Sequence, residues 1–146
     1  MAGHVASQVV KTMIRKGINV NNSHVLMLGI TFKENCPDVR NTKIVDVIRA
    51  LEDYGVNVSV YDPWANPEEV MHEYGIKILN DIEAVKNNHG NPTVHGSLIT
   101  DHRYDAIVLG VAHDKFMDLD FDSLKKDACV VYDVKGILGD GVDAKL

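Results

Sequence analysis

Between His24 and Asn41 the chain reads HVLMLGITFKENCPDVRN, and two residues of this stretch, Lys33 and Arg40, carry fixed positive charge. They stand with Asp38 in a polar loop that opens after Gly29 and runs into a helix start near Thr42. Two cations in such a loop suit a phosphate-sized anion, because a helix N-terminus adds unpaired N–H groups and a partial positive charge. Further along, Asp62 could hold a ribose hydroxyl and His113 could carry a proton, and Lys135 stands in a terminal loop. Cys36 lies near the loop cations, which would favour its thiolate.

Each of these residues also has an ordinary use. Lys33 can be a solvated surface lysine, and Asp38 with Arg40 can be a local ion pair of little energetic weight. Asp62 precedes Pro63, which favours a turn or cap over ribose binding, and His113 fits a cap or packing role at a strand end. No histidine base stands at a sequence-defined position beside Cys36. Gly29 is the only glycine of its loop, so the Gly-x-Gly-x-x-Gly fingerprint that cradles a dinucleotide pyrophosphate is absent.

The elements that must position these side chains follow from periodicity. Apolar runs predict strands at 25–28, 56–61, 76–79, 106–111 and 128–132. Helical spacing predicts helices at 4–16, 42–54 and 67–74, the second capped by Asn41 or Thr42, with stops at Gly17, Gly55 and Gly75. Shorter helical pieces are predicted at 81–86, 113–116 and 121–126, and residues 87–103 form the least patterned segment, an insertion or a lid. Strand alternating with helix predicts an α/β, Rossmann-like, three-layer domain: a parallel sheet of about five strands with right-handed crossovers and an N-terminal helix. Lys33, Asp62, His113 and Lys135 each follow a strand end, so all four are expected on one edge of the sheet.

Composition narrows the partners. With 15 basic against 21 acidic residues the formal charge is −6, which argues against nucleic acid, whose footprint is a concentrated basic surface. No run approaches a membrane span and no signal-like N-terminus is present, so a cytoplasmic location is expected. Cys36 and Cys129 read as free thiols, and the seven histidines lack metal-ligand spacing.

At Gly29-Ile30-Thr31-Phe32-Lys33, continuing to Asp38-Val39-Arg40, the chain resembles the C-terminal domain of the UDP-glucose/GDP-mannose dehydrogenase family. Tyr61-Asp62-Pro63, Val111-Ala112-His113 and Asp133-Val134-Lys135-Gly136 extend the resemblance over nearly the whole chain. The ending Asp-Val-Lys-Gly is most like bacterial UDP-N-acetylhexosamine 6-dehydrogenases of capsule and O-antigen synthesis. The resemblance implies that residues 1–20 are the end of a central connecting helix and 21–146 a UDP-sugar-binding domain. It implies that Phe32, Lys33 and Lys135 contact a UDP-N-acetylhexosamine or related UDP-sugar. Arg40 would touch an NAD held mainly by an N-terminal domain outside this sequence, and the full-length enzyme would be a homodimer or higher oligomer. The family's nucleophilic cysteine segment, Gly-Gly-x-Cys, has no counterpart here, so no catalytic residue is carried over and the chain alone is expected to be inactive. The competing reading is a stand-alone, non-catalytic α/β nucleotide-binding or regulatory module.

Overall fold

The computed structural model describes residues 2–31, 35, 37–40, 42–81, 104–111, 113–118, 124–133 and 144–145. In chain order these form α1 (Ala2–Arg15), β1 (His24–Leu28), α2 (Ile44–Asp53), β2 (Asn57–Tyr61), α3 (Pro67–Tyr74), β3 (Ile78–Leu79), β4 (Tyr104–Leu109), a 3₁₀ helix (Asp114–Asp118), β5 (Lys125–Asp133) and β6 (Ala144–Lys145). The sheet is parallel throughout, in the order β3-β2-β1-β4-β5-β6. This is the doubly wound order, whose switch point lies between β1 and β4.

The central strands are covered on both faces, which is why they read as unbroken apolar runs. Val25, Leu26, Met27 and Leu28 are fully buried, as are Ala106, Ile107, Val108 and Leu109. The larger core lies between the sheet and the helices: Val5, Ala6, Val9, Val10 and Met13 of α1 meet Ile44, Val45, Val47, Ile48 and Leu51 of α2 over Val25, Met27, Ala106 and Val108. Each such Val, Leu, Ile or Met side chain adds about 1.5–3 kcal/mol on burial. A smaller core on the opposite face gathers Leu26, Leu28, Tyr61, Tyr104, Ile107, Leu109, Phe116, Leu124 and Cys129.

The sequence reading is met for the five strands and for α1, α2 and α3, with three differences. A sixth strand, β6, pairs its two residues with Tyr132 and Asp133, too short a segment to leave a pattern. Residues 125 and 126 belong to β5 and not to a helix, because Lys125 pairs with Tyr104 before the register shifts to Ala106 opposite Val130. Helix α2 starts at Ile44, and no side chain caps it from Lys43; Thr42 Oγ1 instead accepts from Ile44 N–H at 3.2 Å. The apolar face of α1 is buried within this domain, and Ile14 alone of its large apolar residues is exposed among the described residues. The predicted helix at 81–86 and the segment 87–103 lie outside the described residues apart from Asp81.

Candidate functional site

Two glycines bring the chain past the carboxyl ends of β1 and β4. Gly29, the residue after β1, has φ of 92°, and a β-carbon there would lie 2.5 Å from Val111 Cβ. Gly110, the residue after β4, would place a β-carbon 2.8 Å from Ile44 Cδ1. The absence of both side chains lets Leu28 C=O accept from Gly110 N–H at 2.9 Å and Val111 N–H at 3.2 Å, while Gly29 N–H donates to Tyr61 C=O at 2.9 Å. The segments leaving β1, β2 and β4 are therefore held side by side at the switch point.

A buried carboxylate joins them. Asp62, fully buried after β2, accepts five hydrogen bonds. Its Oδ2 takes Ile30 N–H at 2.8 Å, Thr31 N–H at 3.2 Å and His113 Nε2 at 3.0 Å. Its Oδ1 takes Trp64 N–H at 2.7 Å and Ala65 N–H at 3.0 Å, closing the turn that Pro63 foretold. The same turn is held from outside by Asn80, whose Nδ2 donates to Asp62 C=O at 2.7 Å and Ala65 C=O at 2.9 Å. Burial pushes the Asp62 carboxyl up, but the hydrogen bonds from His113, Ile30 and Trp64 and the nearby imidazole outweigh it and hold the group below its ordinary value.

His113, also fully buried, uses both ring nitrogens. Asn35 N–H points at Nδ1 at 2.8 Å, and because a backbone N–H can only donate, Nδ1 presents a lone pair. The ring proton consequently sits on Nε2, shared between Asp62 Oδ2 and Thr31 Oγ1 at 3.1 Å. Asn35 answers with its own side chain, Oδ1 accepting from Asp114 N–H at 3.0 Å. Its φ of 56° is left-handed, a conformation asparagine tolerates better than most residues. Phe116 packs edge-on against the imidazole, with ring centres 5.2 Å apart, and the half-exposed Trp64 ring lies 6.4 Å away.

Of the residues singled out in sequence, the structure brings Asp62 and His113 into contact, in the turn and packing roles that their neighbours suggested. Phe32, Lys33, Lys135 and Cys36 lie outside the described residues. Arg40 is exposed and forks onto Asp38, Nε to Oδ1 at 3.1 Å and Nη2 to Oδ2 at 3.4 Å. Between them Val39 is buried, and its carbonyl accepts from the Tyr74 hydroxyl of α3. Asn35 and Asn80 were not anticipated as anchors. The one available signal was an asparagine inside a loop, where its side chain can replace backbone partners.

Residues 26–140 match the model of the UDP-glucose/GDP-mannose dehydrogenase family, UDP binding domain. The chain belongs to this family. Among curated members, it is 43% identical over 141 residues to UDP-N-acetyl-D-glucosamine 6-dehydrogenase of Salmonella typhi and 42% identical over 141 residues to that of Pseudomonas aeruginosa. Each match covers 94% of this chain and 29% of the relative, so the chain spans less than a third of the length of these dehydrogenases. Among solved structures, UDP-D-ManNAc dehydrogenase from Pyrococcus horikoshii superposes with a TM-score of 0.68 at 16% identity, over 98% of this chain and 30% of that one. That likeness establishes the shared fold.

Proposed function

We propose that the chain is the nucleotide-side domain of a cytoplasmic, NAD-dependent UDP-N-acetylhexosamine 6-dehydrogenase that makes uronates for surface polysaccharide. The observation that carries this reading is the identity of 42–43% to two UDP-N-acetyl-D-glucosamine 6-dehydrogenases across 94% of the chain. In this reading Phe32, Lys33 and Lys135 meet the UDP-sugar beyond the strand ends, and Arg40 reaches an NAD held by another part of the enzyme. Residues 1–20 would continue a helix from the central region, and the assembled enzyme would be a homodimer or higher oligomer.

The described residues do not fit NAD as a resident of this domain. A dinucleotide-binding acid after the second strand needs a free carboxylate oxygen for the ribose. Asp62 occupies that position, yet both its oxygens are filled by protein donors and the group is buried. The loop after β1 has a single glycine, and that one is used against Val111. Arg40 remains accessible at the surface, as a contact to a cofactor bound elsewhere would require.

The test is calorimetric titration of the chain with UDP, UDP-N-acetylglucosamine and NAD. Both uridine ligands bind, NAD does not, and Lys33→Ala weakens UDP by at least about 1 kcal/mol, the scale of one charge-assisted hydrogen bond. Unchanged affinity in Lys33→Ala would remove that residue from the site, and tight NAD binding would reverse the division of labour.

A further inference from the structure

The joint between Asn35 and His113 depends on a proton in a way that the other bonds of the Asp62 knot do not. Asn35 N–H donates to His113 Nδ1 at 2.8 Å, so this bond exists while Nδ1 holds a lone pair. If the imidazole takes a second proton it takes it there, because Nε2 already carries one toward Asp62 Oδ2 and Thr31 Oγ1. Two donors then face each other, and the Asn35 bond cannot survive. The other side of the ring tolerates the change: Nε2–H still meets Asp62 Oδ2, and a hydrogen bond from a neutral ring becomes one from a charged ring.

The groups around the ring decide whether a second proton can enter so buried a place. The turn after β2 brings Asp62, whose carboxyl is held below its ordinary value and so stays ionised in the range where free imidazoles titrate. The residues after β1 bring the Thr31 hydroxyl and the Asn35 amide, both neutral, and Trp64 and Phe116 bring uncharged rings. Asp114 and Lys115, which follow His113, are exposed. An imidazolium at 113 therefore has a buried counter-ion already in contact.

The Asn35 side of the joint is equally prepared. Asn35 is exposed, so water can take the N–H that the ring gives up. The Ile30 and Thr31 N–H groups are buried against Asp62 and keep their acceptor. The left-handed φ of Asn35 costs energy that its bonds to His113 and Asp114 offset, and losing the first of them favours relaxation.

We propose that His113 is a proton-controlled latch: with one ring proton it holds Asn35 beside the loop after β4, and a second proton releases Asn35 while the Asp62 knot stays closed. The latch goes beyond the UDP-sugar reading and does not rest on it.

NMR of the isotope-labelled chain, titrated downward from about pH 8, tests the latch. At the start of the titration the His113 ring proton is on Nε2. As His113 titrates, the Asn35 amide shift follows the ring nitrogens with the same midpoint. The protection of Asn35 N–H from hydrogen exchange, corrected for the intrinsic rate, falls about fivefold or more, the worth of one hydrogen bond. Ile30 N–H, bonded to Asp62, keeps its protection over the same range. In His113→Asn the side-chain Oδ1 can accept from Asn35 in place of Nδ1 and does not titrate, so Asn35 becomes insensitive to pH. A ring proton on Nδ1 at the start, or an Asn35 amide that stays protected while His113 titrates, would overturn the latch. So would joint loss of protection at Asn35 and Ile30, a His113 that takes no second proton before the chain unfolds, or a pH response of Asn35 that persists in His113→Asn.

Discussion

Two carboxylates at the loop side of the sheet each meet a nitrogenous partner, and they could hardly differ more. Asp38 meets Arg40 two residues on, in an exposed fork formed within one turn. Asp62 meets His113 fifty-one residues on, fully buried, with four backbone N–H groups filling the rest of its acceptor sites. Water can replace every bond of the first pair, so it sets a local shape and leaves the arginine available to a ligand. Nothing replaces the bonds of the second, so it joins three loops and is closed to ligands. Charge near a strand end therefore marks neither function nor structure until its burial is known.

The comparison breaks most visibly at Asp62. Asp62→Ala strands four backbone donors in the interior and leaves His113 Nε2 only Thr31 Oγ1, and the expected cost is at least about 3 kcal/mol, since each stranded buried donor costs about 1–3 kcal/mol. Equilibrium denaturation in urea measures it. A loss below about 1 kcal/mol would mean that water reaches the site and that the two carboxylates are alike after all.

Acid sharpens the contrast. Asp62 is held below its ordinary value in the folded chain, whereas the unfolded chain titrates near 3.9. The group's contribution is therefore complete above about pH 4 and is lost as the pH falls through the folded value. Denaturation midpoints collected from pH 7 downward should drop below about pH 4, and Asp62→Asn, less stable at pH 7, should show a shallower further loss. Equal acid slopes in the two proteins would place the acid sensitivity elsewhere.

The smallest effect is expected at the exposed pair. Arg40→Ala should leave the melting temperature where it is, since the exposed guanidinium bonds to Asp38 and otherwise only feels the charge of Glu69 across solvent. A clear drop would show that the 38–40 turn, anchored through Val39 to Tyr74, depends on the arginine as well.

What could be read from the sequence divides along similar lines. The central strands were legible because burial on both faces demands unbroken apolar runs, and α3 was legible to the residue because Pro67 and Gly75 mark its two ends locally. Pro63 announced the Asp62 turn for the same reason. The partner of His113 left no local trace: its contacts come from residues 31, 35 and 62, and only the finished sheet brings them together. Strand β6 escaped because two residues carry no period, and the helical reading of 125–126 failed because pairing with β4 outweighs a short amphipathic pattern.

The Asp62 knot also bears on how such a domain can be recombined. The loops after β1, β2 and β4 cannot be exchanged one at a time between relatives, since each supplies donors or acceptors that the others leave unpaired. A graft that transfers the loop after β1 without a matching histidine and aspartate leaves the Ile30, Thr31 and Asn35 N–H groups without their acceptors. For chimaeras and for divergence alike, Ile30, Thr31, Asn35, Asp62, Trp64, Ala65 and His113 form a single heritable part, scattered in the chain and contiguous in space.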